Sequence, residues 1–67
     1  MNKYRRELRS VARDTIGGLL CQKMYALAED TLKLYDQQFK VDRFSRRSWD
    51  KILEHRLEVE GEVEENV

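Results

Sequence analysis

The 67-residue chain has no proline, one histidine and one cysteine, and the cysteine count limits the sites that it can form. A single cysteine, Cys21, excludes an internal disulfide and any zinc site built from several cysteines. No apolar run reaches the ~18 residues that a membrane-spanning helix needs, and no signal-peptide core follows the first residues. The sequence therefore predicts a complete, cytoplasmic protein that does not enter the membrane.

The composition favours helices over strands. Charged residues make up 39% of the chain, apolar residues recur at spacings of three and four, and no stretch alternates with period two. A chain of this length buries only ~60% of the surface of its unfolded state, so a lone monomer would be marginally stable. Because disulfides and cysteine-rich zinc sites are excluded, self-association is the expected aid to stability.

Two hydrophobic stripes on different helix faces meet at Gly17-Gly18. Before the glycines, the members are Tyr4, Leu8, Val11, Ala12, Thr15, Ile16 and Leu19, and after them Leu20, Met24, Leu27, Thr31 and Leu34. At ~100° per residue, the second stripe is rotated by about a third of a turn from the first. One straight helix cannot bury both stripes against one neighbour. We therefore predict a kinked helix over residues 3–37, with a full break at the glycines as the alternative.

A shorter last helix is predicted over residues 45–60. Residues 37–44 lose the helical period and should turn the chain. With Ser45 as N-cap, Phe44 and Trp49 occupy the two positions of a hydrophobic staple. The acidic run after residue 60 has little to bury, so we expect a single helical domain over 1–60 and a disordered tail over 61–67.

The fold class predicted is all-α, with the long and the short helix packed antiparallel as a helical hairpin or a three-helix arrangement. The rotated stripes predict a dimeric bundle, because one half of the long helix would pack on its own chain and the other half on a second copy. The 4-3 spacing after the glycines is typical of a coiled-coil seam. The predicted dimer or partner interface comprises Leu20, Met24, Tyr25, Leu27 and Leu34. Tyr25 is the aromatic expected to be exposed as an anchor.

No pattern in the sequence indicates catalysis. Cys21 and His55 would need a third group and a pocket to act as a thiolate–imidazole pair. Ile52 stands three residues before His55, where a di-iron bundle would carry glutamate. We expect Cys21 to pack between helices and His55 to lie among solvated charges. No enzyme activity, cofactor, metal or small-molecule substrate is predicted.

The charges balance overall but are segregated along the chain. Thirteen basic and thirteen acidic residues give a net charge of zero, which argues against strong nucleic-acid binding. The basic clusters consist of Lys3, Arg5, Arg6, Arg9 and Arg13, and of Arg43, Arg46 and Arg47, whereas glutamates crowd residues 54–65. Both chain ends carry the charge that a helix macrodipole disfavours. In an antiparallel hairpin or a dimer, these two ends could lie together and offset each other.

The leading functional hypothesis is a small, non-catalytic regulator, adaptor or inhibitor that docks as a homodimer onto a larger protein. Electrostatic complementarity would steer the association. The alternative is a nucleic-acid-binding regulator in which both basic clusters contact phosphates. A second alternative is a structural subunit of a larger assembly. No motif in the sequence identifies a family.

Overall fold

The chain turns back on itself twice and forms three helices packed in a small bundle. The computed structural model describes residues 3–65, with side chains described for residues 3–60. The helices are α1 (Lys3–Cys21), α2 (Tyr25–Gln38) and α3 (Arg43–Glu65). Arg5 contacts Gln38 and Arg13 contacts Tyr35, so α2 runs antiparallel to α1. Trp49 and Arg56 contact Asp36 and Glu29, so α3 reverses direction again. The all-α prediction is confirmed in this three-helix form.

The first break lies at residues 22–24 and not at the glycines. α1 continues through Gly17 and Gly18, and Lys23 adopts a left-handed backbone with φ of 63°. The Met24 N–H donates to the Leu19 carbonyl (2.8 Å) and the Lys23 N–H to the Leu20 carbonyl (3.0 Å). These two bonds form a Schellman motif, which satisfies the last carbonyls of α1 and offsets the cost of a left-handed lysine. The predicted single kinked helix over 3–37 is therefore wrong.

The glycines of α1 do not serve close packing within the chain. A Cβ built at Gly17 meets no atom outside its own stretch of helix within 4 Å, and its φ is not positive. We therefore expect Gly17→Ala to raise the free energy of unfolding by about 0.5–1 kcal/mol. Urea unfolding should show a higher midpoint with an unchanged slope. A lower midpoint would contradict the open surroundings of this glycine.

The core lies between the three helices and is small. The buried apolar side chains in the described residues are Ile16, Ala28, Leu32, Tyr35, Phe39 and Ile52. Ala12, Leu19, Leu20, Tyr25, Phe44 and Trp49 pack against them at partial burial. Ser45 and Ser48 are also buried, and their hydroxyls donate to the carbonyls of Asp42 and Phe44 (3.0 Å each). These small side chains place the first turns of α3 close to the core without leaving a hydroxyl unsatisfied.

Helix α3 begins two residues earlier than predicted, because Asp42 and not Ser45 is its N-cap. The Ser45 N–H donates to Asp42 Oδ1 (2.9 Å), and the Asp42 N–H donates to Ser45 Oγ (3.0 Å). This reciprocal pair is a capping box with Ser45 at the third helical position. The predicted staple between Phe44 and Trp49 is therefore wrong, and both rings pack against the core instead.

The far end of α3 extends to Glu65, beyond the predicted end at residue 60. The side chains of the predicted acidic tail over 61–67 lie outside the described residues, and its disorder in solution stays a prediction. Because α1 and α3 start at the same end of the bundle, the last turns of α3 lie far from Lys3. The prediction that these oppositely charged ends lie together within one chain is therefore wrong. Over the described residues, no helix is both long and apolar enough to cross a membrane.

Candidate interaction surfaces

In the first half of α1, Arg5 lies against the end of α2 and the apolar stripe faces outward. The Arg5 guanidinium lies over the Phe39 ring (4.9 Å) and donates to the Gln38 carbonyl. Tyr4 and Val11, by contrast, are 72% and 62% exposed. The sequence indicates the opposite orientation for this half. An aromatic ring and the carbonyl end of α2 are favourable neighbours for a guanidinium, which explains the inversion.

A polar cluster joins α1, α2 and the start of α3. Arg13 Nη2 contacts Asp42 Oδ2 (2.8 Å), the Tyr35 hydroxyl donates to the same oxygen (2.5 Å), and Arg13 Nε–H donates to Tyr35 Oη (3.0 Å). Arg13 also lies over the Phe44 ring, 5.6 Å from its centroid. Arg13 thus connects α1 to α2 and to the start of α3.

The electrostatics of this cluster favour an ionised Asp42. Partial burial by itself would raise the pKa of the carboxyl group. Hydrogen bonds from the Tyr35 hydroxyl, the Ser45 N–H and Arg13 outweigh burial and hold the pKa of Asp42 at about 2. Burial and the bond to Asp42 raise the pKa of Tyr35, so its phenol remains a donor near neutral pH.

The other residues of the two predicted basic clusters gather at one end of the bundle, where α1 and α3 both begin. The exposed members, termed here the basic end, are Lys3, Arg6, Arg9, Arg43, Arg46 and Arg47. None of them makes a salt bridge with another side chain among residues 3–60. The fold therefore brings together two clusters that are more than thirty positions apart in the sequence.

The opposite end of the bundle is acidic. Glu54, Glu58 and Glu60, termed the acidic end, are exposed on the second half of α3. Glu29 of α2 contacts Lys33 (3.3 Å) and Arg56. The hydrogen bond from Lys33 contributes most to lowering the pKa of Glu29. The molecule therefore carries opposite charge at its two ends.

The aromatic residues near the second arginine cluster contact α2. Trp49 Nε1–H donates to Asp36 Oδ2 (2.8 Å), and the Phe44 ring lies 5.6 Å from that of Tyr35. Neither ring is fully exposed, so neither forms an open platform for stacking. At the basic end, Tyr4 is the ring that lies open to solvent.

The predicted interface residues fall into two sets. Leu20 packs against the core, and Tyr25 stacks on His55 with ring centroids 3.8 Å apart and planes within 6°. Tyr25 is therefore half-buried and not the exposed anchor predicted, and His55 is not simply solvated. Met24, Leu27 and Leu34 are exposed, with Leu34 at 58%. These three side chains are available to a partner.

No protein-family model, curated protein or solved structure matches this chain. The surfaces described above are therefore the basis for inferring a function. One further feature is a shallow cleft of about 270 Å³ between α1 and α3, with Cys21 and His55 in its lining. Cys21 is exposed, which corrects the prediction that it packs between helices.

The cleft has Cys21 and His55 in one lining, and no hydrogen bond joins these two side chains in the described part of the chain. Among the residues that the structure describes, no three His, Cys, Asp or Glu side chains are placed to hold a metal ion. The basic end and the exposed apolar side chains are the more developed features.

Proposed function

We propose that this protein is a small, non-catalytic regulator or adaptor that acts as a homodimer and docks through its basic end onto an acidic surface of a larger protein. The observation that supports it is the convergence of exposed arginines from α1 and α3. Guanidinium groups pair with carboxylates through two parallel hydrogen bonds, which gives orientation as well as attraction. Such charge clusters also accelerate encounter with an oppositely charged partner.

Two arginines that contact the other helices support this docking surface. Arg5 is held by Gln38 and Phe39, and Arg13 by Asp42 and Tyr35. These contacts fix the start of α1 against the α2–α3 turn. The exposed Arg6 and Arg9 are therefore presented from a fixed helix, which lowers the entropy lost when a partner binds.

The opposite charge of the acidic end favours a protein partner over a nucleic acid. A phosphate backbone that extends beyond the basic end would meet the repulsion of Glu54 and Glu58. A protein surface with both signs of charge can match both ends at once. Nucleic-acid binding remains the second candidate because Tyr4 exposes a ring beside Arg5 and Arg6, where a base could stack.

Charge removal at the basic end tests the proposal. We expect Arg9→Gln/Arg46→Gln to lower capture of a protein partner from nuclease-treated extract of the native host by about tenfold, which corresponds to about 1.4 kcal/mol. Lys23→Gln/Lys51→Gln is the matched control, because it removes two exposed positive charges elsewhere. The captured protein should be identified by mass spectrometry and its binding measured again with purified components.

The same variants distinguish the two candidates. A mixed-sequence DNA duplex and a mixed RNA serve as nucleic-acid probes. Retention of either probe that falls steeply with salt, and that is lost in the arginine variant alone, would favour the nucleic-acid candidate. Equal partner capture by the arginine and lysine variants would contradict docking through the basic end.

A further inference from the structure

Helix α1 carries an exposed stripe with the spacing of a coiled-coil seam. Its members follow one another at intervals of four, three, four and three residues: Tyr4, Leu8, Val11, Thr15 and Gly18. This spacing keeps them on one helix face. A Cβ built at Gly18 meets no atom outside its own stretch of helix within 4 Å, so the backbone there is open to close approach.

Helix α2 and its N-cap residue Met24 carry a second stripe of similar spacing. Its members, Met24, Leu27, Thr31 and Leu34, follow one another at intervals of three, four and three residues. The Thr31 hydroxyl donates to the Leu27 carbonyl (2.8 Å), as the Thr15 hydroxyl of α1 does to the Val11 carbonyl (2.9 Å). Both hydroxyls are therefore satisfied within their own helix, and the two stripes can be desolvated without an unpaired donor.

Both stripes face away from α3, on either side of the junction between α1 and α2. On α2, Glu29 and Asp36 contact α3 and stand two residues after Leu27 and Leu34, which is a rotation of about 200°. On α1, Gly17 lines the cleft toward α3 and stands two residues after Thr15. The two stripes therefore lie on the same side of the bundle, which is termed the apolar face.

The apolar face is large for so small a protein. Six of its side chains, each at least 40% exposed, are Tyr4, Leu8, Val11, Met24, Leu27 and Leu34. The described residues bury only six apolar side chains in the core. Monomeric proteins rarely leave a contiguous apolar patch of more than a few hundred Å² uncovered. A partner that covers this face would bury about as many apolar side chains as the core does.

We infer that a second copy of this chain covers the apolar face, with its helices antiparallel to those of the first. This inference rests on the homodimer of the proposed function and specifies its surface. A two-fold axis perpendicular to the helices brings the same face of both copies together and covers six exposed apolar side chains on each copy. The seam spacing on both helices suits a four-helix layer, and Thr15 and Gly18 allow close contact at its middle.

Sedimentation equilibrium of the full chain at micromolar concentration tests the inference. We expect twice the 8.1 kDa mass of one chain. Leu27→Arg should raise the dissociation constant of the dimer by about a hundredfold or more, because it buries a charge at the seam. Leu57→Arg is the matched control, since Leu57 is 67% exposed on α3, outside the apolar face. Val11→Arg tests the α1 half, and circular dichroism establishes that each variant is helical.

The outcomes separate the dimer from the proposed docking. A single-chain mass for the wild type, or equal dissociation by Leu27→Arg and Leu57→Arg, would overturn the inference. The Arg9→Gln/Arg46→Gln variant should remain dimeric, because both arginines lie outside the apolar face. If a variant stays dimeric but no longer captures the partner, the docking surface is affected and the dimer interface is not.

Discussion

Leu32→Ala is expected to lower the free energy of unfolding by about 2–5 kcal/mol, the largest effect of any single truncation considered for this chain. Leu32 is fully buried at the centre of α2, and the core holds only six buried apolar side chains among the described residues. A domain of this size has a total stability of about 3–10 kcal/mol. The substitution should therefore remove a large fraction of the stability of the fold.

The control is Leu57→Ala, which removes the same atoms from a side chain that is mostly exposed on α3. It should change stability by no more than about 0.5 kcal/mol. Urea unfolding followed by circular dichroism gives both values. If the two variants were equally stable, Leu32 would not be a core residue and the packing of α2 described here would be incorrect.

Asp42→Ala is expected to cost about 2–3 kcal/mol, because one carboxylate performs two tasks. It caps α3 through the Ser45 N–H, a contribution of about 1 kcal/mol. It also accepts hydrogen bonds from Tyr35 and Arg13, which would lose their partner. Asp42→Asn should cost less, since asparagine caps a helix about as well as aspartate. If the two variants were equally destabilised, the cap would contribute little.

The same carboxylate predicts how stability depends on pH. The pKa of Asp42 in the folded protein is about 2, below the ordinary value of 3.8. The folded state therefore binds this proton less readily, so the contribution is complete above the unfolded pKa and is lost as pH falls from about 5 toward 2. With solvent screening, the loss should be about 1–2 kcal/mol. Urea midpoints should fall more in the wild type than in Asp42→Asn over this range, and parallel curves would contradict the role of Asp42.

Much of the helical character follows from the sequence. The spacing of Leu27 and Leu34 predicts a helix, and the structure has one over Tyr25–Gln38. The absence of period-two alternation excludes a sheet. These features depend on local propensity and periodicity, which one chain segment contains by itself.

The position of the first break could not be predicted from local propensity. Glycines are the usual helix breakers, but Gly17 and Gly18 are helical. The turn instead uses a left-handed Lys23, a residue with no preference for that conformation. Its stability depends on the Schellman hydrogen bonds and on α2 packing back onto α1. Tertiary contact therefore outweighs the intrinsic cost of the turn.

The inverted orientation of α1 has a similar cause. Amphipathic periodicity separates the arginine face from the Tyr4 face, but it does not determine which face meets a neighbour. The neighbours are Phe39, Gln38 and Asp42, which lie more than twenty-five residues away and form a site for guanidinium groups. The convergence of the two arginine clusters follows from the same packing, so the candidate docking surface emerges only from the fold.

The turn after α1 brings both basic clusters to one end of the bundle and both apolar stripes to one face. Nuclear Overhauser spectroscopy of the labelled protein tests it directly. Cross-peaks are expected between the Arg13 side chain and the Tyr35 ring, and between the rings of Tyr25 and His55. Uninterrupted helical connectivities through residues 22–24, with both sets of cross-peaks missing, would show one long helix and contradict the account.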